Sequence, residues 1–281
     1  MKTSAVRILQ EFLKTKGLYT GKIDGDRGPK THAAAAALIN QRKAELDGDP
    51  AGWSDKRKAV AAYQLHIKDE GIDVGDVDGL WGPQTEFAHD ALEQKREFGA
   101  PILFRDIEPG RGNPNDWPVD DTPGQTGMRA FYGPNGVKGG FTPPMKTVIC
   151  PWTLRLSWDL SQKTKRIGAH EKVADSLQRV LDAVFNKYGE DKIKELRLDI
   201  YGGCYAPRKK RGGSTWSTHA WAIALDFDPD RNQLNWGRDK ASFARPEYDD
   251  WWDCWEAEGW VSLGRERNFD WMHVQAAKLK T

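Results

Sequence analysis

The sequence has few cysteines, no long apolar run and no excess of either charge, and each shortage excludes a class of protein. Three cysteines, Cys150, Cys204 and Cys254, are too few and too widely spaced for a disulfide framework or a Cys-x-x-Cys zinc site. No apolar stretch approaches the ~20 residues that a membrane helix needs. The first residues also lack the apolar core of a secretory signal. We therefore expect no stable membrane association and no export by the usual leader.

The charge balance gives no support to a nucleic-acid-binding protein. The chain has 42 basic and 41 acidic residues, a net charge of +1, and the two signs are nearly balanced both in residues 1–98 and in the rest. A nucleic-acid-binding domain would be expected to show a basic excess. The 281 residues suggest about two domains, and only two of the 13 tryptophans, Trp53 and Trp81, precede residue 100.

An internal repeat occupies the first third of the chain, with a constant offset of 54 residues and no gaps. The paired positions include Val6 and Val60, Gln10 and Gln64, Gly17 and Gly71, Asp24-Gly25 and Asp78-Gly79, Gly28-Pro29 and Gly82-Pro83, and Thr31 and Thr85. In each unit an apolar stripe at helical spacing ends at a glycine, an Asp-Gly turn follows, and Gly-Pro-x-Thr opens a second helix. The pattern predicts two helix–loop–helix units.

The repeat resembles the small three-helix peptidoglycan-binding modules of cell-wall hydrolases. The resemblance is carried by Gly-x-Ile-Asp-Gly-x-x-Gly-Pro-x-Thr at 21–31 and Asp-Val-Asp-Gly-Leu-Trp-Gly-Pro-Gln-Thr at 76–85. It implies that residues 1–45 and 54–98 bind bacterial peptidoglycan. The candidate residues are Asp24, Gly25, Asp78 and Gly79, which shape the loops first, and Tyr19 and Trp81, which could stack on sugars. The alternative is a generic helical bundle in which these are turn and capping signals, and an aromatic beside a turn is as often packed inward.

The remaining chain predicts a linker and an α+β domain. Proline and glycine are dense over 99–124, which indicates a linker. Over 125–281, strands are expected at 147–152, 196–200, 223–227 and near 260–263 and 269–274, forming a small antiparallel sheet. A long helix is expected to end at Gly189. A tryptophan-rich helix opened by Pro246 is expected to be core rather than a sugar platform.

Two short segments carry residue types that ligate metals. His219 precedes Asp226 by seven positions, and Asp270 precedes His273 by three. A straight strand would place His219 and Asp226 about 23 Å apart, so the chain must turn between them if both bind one metal. Each segment alone is more often structural than metal-binding. Together, two imidazoles and one carboxylate would leave the open fourth position that catalytic zinc requires.

The two segments resemble the zinc D,D-/L,D-peptidase family that includes vancomycin-resistance dipeptidases and phage L-alanyl-D-glutamate endopeptidases. The family pattern Ser-x-His-x-x-Gly-x-Ala-x-Asp, followed by acid-x-x-His, is matched by Ser217, His219, Ala224, Asp226, Asp270 and His273. The resemblance implies Zn²⁺ bound by His219, Asp226 and His273, with Asp270 as general base. The sequence departs at Ala222, where glycine is usual. Alanine there costs little only if its φ is negative.

Substrate-binding residues are expected around this motif. A basic run is usually a solvated loop, but the family uses an upstream arginine to hold the anionic stem peptide or the oxyanion. Arg208 is the first candidate and Arg211 the second. Ser217, Trp221 and Trp271 adjoin the proposed ligands and are expected to line the cleft.

Two further residues near the motif are ranked lower. Asp228 could compete for the ligand or base role, but the acid-x-x-His pattern favours Asp270. Cys204 is expected to be a small buried hydrophobe rather than a zinc ligand.

These resemblances imply a modular phage-type endolysin that cleaves the L-Ala–D-Glu amide of the peptidoglycan stem peptide. Such a protein is expected to be a monomer that waits in the host cytoplasm until release and then acts in the periplasm. One alternative is a D-Ala-D-Ala carboxypeptidase or dipeptidase on the same scaffold. Another is a non-catalytic wall-binding protein with a degenerate peptidase domain, against which the complete ligand set argues.

Overall fold

A computed structural model of the chain describes residues 1–99, 112–121, 124–210 and 215–279. These residues form a mixed α/β protein with eight α-helices and one six-stranded sheet. The described chain divides into two compact units, each with its own apolar core. The first contains residues 1–99 with Lys210 and Thr215, and the second contains the described residues of 112–209 and 216–279. Within the described residues, every helix is too short or too polar to cross a bilayer.

The first unit contains four α-helices arranged as the repeat predicts. They are α1 (Thr3–Thr15), α2 (Pro29–Gln41), α3 (Asp55–Asp69) and α4 (Pro83–Phe98). The second helix of each pair begins at a proline, whose missing N–H costs nothing in a first helical turn. The prediction of two helix–loop–helix units is confirmed.

One buried glutamine organises the loop of each repeat. Gln10 Nε2 donates to the Asp24 carboxylate at 2.8 Å, and Gln10 Oε1 accepts from the N–H of Gly25 at 2.9 Å. The equivalent contacts of Gln64 are with Asp78 at 3.2 Å, Gly79 at 2.8 Å and Thr85 at 3.0 Å. The two aspartates and two glycines therefore shape their loops, the role expected of them first.

The second unit is built on a sheet with strand order β2-β1-β3-β4-β6-β5. The strands are β1 (Met145–Leu156), β2 (Asp159–His170), β3 (Ile200–Gly203), β4 (Ala224–Phe227), β5 (Val261–Ser262) and β6 (His273–Gln275). Strands β1 and β3 pair in parallel, and the other neighbours are antiparallel. The expected antiparallel sheet is therefore wrong at one pair, because a long helix after β2 crosses back and delivers β3 beside β1.

Four helices complete this unit: α5 (Thr126–Tyr132), α6 (Glu171–Glu195), α7 (Asp249–Ala257) and α8 (Leu263–Arg267). Helix α6 is the long helix predicted from the sequence. The helical backbone stops at Gly189 as predicted, with φ of +67° and ψ of 168°, and a second helical segment follows this kink within α6. The strand expected from residue 196 begins only at Ile200, because the preceding residues form a turn.

Tryptophan fills the core of the second unit. The rings with almost no exposure are Trp152, Trp221, Trp251, Trp252, Trp255 and Trp260. Three of them lie on α7, so the expectation that this helix is core is confirmed.

The described part of the expected linker belongs to the second unit. Trp117 is buried, and its Nε1 donates to the Glu258 carbonyl at 3.1 Å. The N–H of Asp120 donates to the carbonyl of Lys278 at 2.8 Å. The linker prediction is therefore wrong for residues 112–121, because Trp117 supplies core surface that a free linker would expose.

Candidate metal centre

Three side chains from separate segments converge beside the sheet. His219 lies in a 3₁₀ turn, Thr218–Trp221, whereas Asp226 and His273 face each other across the antiparallel pair of β4 and β6. The distances are 3.2 Å from His219 Nε2 to Asp226 Oδ1, 3.2 Å from His219 Nε2 to His273 Nδ1, and 3.1 Å from His273 Nδ1 to Asp226 Oδ1. Both histidines are buried. The three residues predicted as ligands thus meet at one point.

A sharp reversal at Ala222 brings His219 back to the strand. Ala222 follows the 3₁₀ turn with φ of 56° and ψ of 39°, in the left-handed region. This is the turn that a shared metal requires, since an extended chain would hold the two ligands far apart. Alanine would cost little here only with a negative φ, and the observed φ is positive. Alanine at this position therefore carries a backbone cost of about 1–2 kcal/mol that glycine would avoid.

The separations fit a tetrahedral ion. Nitrogen and oxygen ligands at ~2.0–2.1 Å from zinc lie about 3.3 Å from one another in a tetrahedron, and the observed separations are 3.1–3.2 Å. These three residues form one of the groups that could hold a metal ion among the described residues. The donor set, two imidazoles and a carboxylate, suits a divalent ion such as Zn²⁺.

The surroundings of His219 and Asp226 determine which of their atoms can bind a metal. His219 Nδ1 donates to the Cys204 carbonyl at 2.8 Å. A carbonyl only accepts, so this contact keeps a hydrogen on Nδ1, and in the neutral ring the lone pair is then on Nε2. In the metal-free protein, burial acts to raise the pKa of Asp226, but the positive charge that His219 and His273 carry when protonated outweighs it and holds that pKa far below its usual range. Asp226 is therefore an ionised acceptor.

Asp270 supplies a second carboxyl close to the three ligands. Its residue is buried, and its Oδ1 has no hydrogen-bond partner among the described residues. Burial, with a smaller contribution from Asp226, raises the pKa of Asp270 to about 6, against the lowering effects of His273, His219 and Arg208. A carboxyl of this kind can exchange a proton near neutral pH.

Of the two candidate arginines, Arg208 lies within the described residues. Arg208 is exposed, and its positive charge is near enough to lower the pKa of Asp270. Its carbonyl accepts from the N–H of Ser217 at 3.1 Å, so the backbone ties Arg208 to the turn that carries His219. Arg211 lies outside the described residues.

Ser217 and two tryptophans do not line a cleft as expected. The Ser217 hydroxyl accepts from the N–H of His219 at 3.4 Å and so caps the 3₁₀ turn. Trp221 is fully buried, and its Nε1 donates to the Gly133 carbonyl at 2.9 Å. Trp271 is buried against Gly264, where even a Cβ would overlap the ring. The expectation that Trp221 and Trp271 contact substrate is wrong in this structure, because protein encloses both rings.

The two candidate sugar-stacking residues, Tyr19 and Trp81, differ in how deeply they are buried. Tyr19 is 5 % exposed, and its hydroxyl donates to the Lys22 carbonyl at 2.7 Å. Tyr19 is therefore part of the core, which corrects the expectation that it stacks on sugars. Trp81 is half-buried, stacks on Tyr63 with ring centres 5.8 Å apart, and donates through Nε1 to Glu86. A role for Trp81 in sugar binding stays a prediction.

Asp228 and Cys204, which were ranked below the proposed ligands and base, have structural roles. Asp228 is fully buried in an ion pair with Arg197, at 2.6 and 2.9 Å, and takes no part in the metal centre. Burial raises the pKa of the Cys204 thiol, and Cys204 does not belong to the His219, Asp226 and His273 group that could hold a metal among the described residues. The contribution of Cys204 is its carbonyl, which orients His219.

Sequence reasoning missed two residues next to the ligands. Gly202 on β3 lies against Asp226, and Gln275 on β6 contacts His273. The position of Gly202 depends on strand pairing that the sequence does not reveal. Gln275 had a usable signal, because residues two apart on a strand share a face.

Known protein families, curated proteins and solved structures were each compared with this chain, and none matched.

Proposed function

We propose that this chain is a peptidoglycan hydrolase that uses a zinc-activated water to cleave an amide bond of the wall stem peptide, with the L-Ala–D-Glu bond favoured. The observation that carries the proposal is the convergence of His219, Asp226 and His273 beside a buried carboxyl, Asp270, whose pKa is raised to about 6. Three ligands with a proton-accepting carboxyl nearby are the parts that metal-assisted amide hydrolysis needs.

Each side chain has a separate task in this proposal. Zn²⁺ held by the three ligands would supply an acidified water and polarise the scissile carbonyl. Asp270 would accept a proton from the attacking water and pass it to the leaving amine, the task of a general base beside the ligands. Arg208, exposed and close enough for its charge to act on Asp270, binds the anionic groups of the stem peptide.

The helical unit would hold the enzyme on its insoluble substrate. The doubled Asp-Gly…Gly-Pro-x-Thr pattern supports this role, and each copy has its loop braced by a buried glutamine. Wall binding would keep the catalytic unit at high local concentration near stem peptides.

Mass spectrometry of fragments released from purified sacculi tests the proposal. The wild-type chain, His219→Ala and an exposed control, Gln162→Ala, are compared. We expect a new amino group on D-Glu with wild type and control, and neither release nor bound zinc with His219→Ala. Release of terminal D-alanine alone would instead assign the D-Ala-D-Ala carboxypeptidase alternative. Sedimentation with sacculi without any cleavage would leave a non-catalytic wall-binding protein.

A further inference from the structure

Strand β6 places Gln275 on the same face as His273, two positions along the chain. Gln275 Oε1 lies 3.1 Å from His273 Nε2, the ring nitrogen that faces away from Asp226. Both side chains are buried, with 3 % and 5 % exposure. The contact is therefore shielded from water, where a hydrogen bond influences its partner most strongly.

The carbonyl of Ala277 settles the orientation of the Gln275 amide. Gln275 Nε2 lies 3.0 Å from that carbonyl, which can only accept, so the NH₂ end faces Ala277 and the oxygen faces His273. The hydroxyl of Thr218 donates to the same Oε1 at 3.2 Å. An amide oxygen cannot donate, so the hydrogen in the His273 contact lies on His273 Nε2.

This contact decides which nitrogen of His273 is free to bind a metal. A neutral imidazole carries one hydrogen, and with it on Nε2 the lone pair is on Nδ1, which points at Asp226 and His219. The Asp226 carboxylate, 3.1 Å from Nδ1, would by itself favour the opposite tautomer with the hydrogen on Nδ1. That tautomer would point a hydrogen at the metal position.

We propose that Gln275, held by Ala277 and Thr218, is a positioning residue that keeps His273 in the metal-binding tautomer and so determines the affinity of the centre. The inference depends on the metal centre of the proposed function but not on peptide-bond cleavage. Hydrogen-bond partners of metal-bound histidines typically change metal affinity roughly 10–100-fold.

The experiment measures zinc affinity and tautomer rather than activity. Chelator-treated wild type, Gln275→Met and Gln275→Glu are titrated with Zn²⁺ against a competing chromophore. Burial acts to lower the pKa of His273, but the Asp226 carboxylate outweighs it and raises that pKa, so ¹⁵N NMR of the metal-free proteins is recorded at alkaline pH, where the ring is neutral and its tautomer can be read. Gln275→Met should weaken zinc binding roughly 10–100-fold and shift the hydrogen to Nδ1. Gln275→Glu, which keeps an acceptor, should recover the Nε2–H tautomer and most of the affinity.

Gln125→Met is the matched control. Gln125 is also buried in this unit and donates to Asp120 at 3.0 Å and to the Trp216 carbonyl at 2.8 Å, so its loss costs similar hydrogen bonds away from the ligands. Unchanged affinity and tautomer in Gln275→Met would overturn the proposal, as would an equal affinity loss in the control or a wild type that binds no zinc. If wild type binds zinc and Gln275→Met weakens it while sacculi stay intact, the proposal stands and the peptidase function fails.

Discussion

Replacing Gly202 with alanine tests how closely the sheet must hold the Asp226 ligand. A Cβ at Gly202 would lie 2.8 Å from Asp226 Cβ and 3.1 Å from the Asp226 carbonyl oxygen. Carbon atoms in contact lie about 3.5–4.0 Å apart, so β3 or β4 must move by roughly 0.7 Å. The obstacle includes backbone, which cannot rotate away as a flexible side chain can.

A shift of this size is large compared with what a metal tolerates. Ligand distances in zinc sites vary within about 0.2 Å, so a displaced Asp226 carboxylate should bind poorly. We expect the zinc dissociation constant of Gly202→Ala to rise roughly 10–100-fold, by analogy with the loss of a supporting contact, or about 1.4–2.7 kcal/mol. Overpacking should also lower the free energy of unfolding of the metal-free protein by about 1–3 kcal/mol.

Zinc titration with a competing chromophore and urea unfolding of metal-free protein measure the two quantities. Gly168→Ala is the control, because Gly168 lies on β2 of the same sheet and a Cβ there meets no atom within 4 Å. The control should bind zinc as tightly as wild type. Tight zinc binding by Gly202→Ala, or an equal loss in both variants, would refute the argument that close packing positions Asp226.

Three other predictions follow from the site and the repeats. Asp270→Asn should keep its bound zinc and lose turnover, because an amide cannot accept the proton. Metal analysis and fragment release from sacculi test this. Loss of zinc from the variant would make Asp270 a ligand instead of a base. In metal-free protein, burial raises the pKa of Asp270 from 3.8 to about 6, so the folded chain holds a proton that the unfolded chain has released. The resulting contribution to the free energy of unfolding, up to about 3 kcal/mol, is present below about pH 4 and lost as the pH rises through 6. Urea unfolding at a series of pH values should show this decline in wild type but not in Asp270→Asn. Equal declines in the two proteins would contradict the prediction. Gln64→Leu should lower the free energy of unfolding by about 2–3 kcal/mol, because Asp78 loses a buried hydrogen-bond donor. The exposed control Gln41→Leu should change it little. Circular dichroism during urea unfolding measures both variants, and equal effects would argue against a stabilising role of Gln64 in its loop.

Local sequence was enough to predict the features that depend on neighbouring residues. The starts of α2 and α4 followed from Gly-Pro-x-Thr, because proline favours a first helical turn whatever surrounds it. The long helix α6 followed from its apolar face. The pairing of His219 with Asp226 required a turn, and Ala222 provides it.

The predicted direction of the ring was wrong for three aromatic residues, Trp221, Trp271 and Tyr19, since that direction depends on packing. Trp221 and Trp271 adjoin the ligands in sequence, yet both rings face the core. Tyr19 sits beside a turn but packs inward. Apolar surface is buried wherever the fold offers space, and no local pattern records where that space will be.

Contacts between distant segments could be decided only in three dimensions. The parallel pairing of β1 with β3, the approach of Gly202 to Asp226 and the orientation of His219 by the Cys204 carbonyl all join elements that the sequence keeps apart. The residue types that could bind a metal were already apparent in the chain. Their separations of 3.1–3.2 Å arise from strand register and buried hydrogen bonds, which depend on the whole sheet rather than on any one segment.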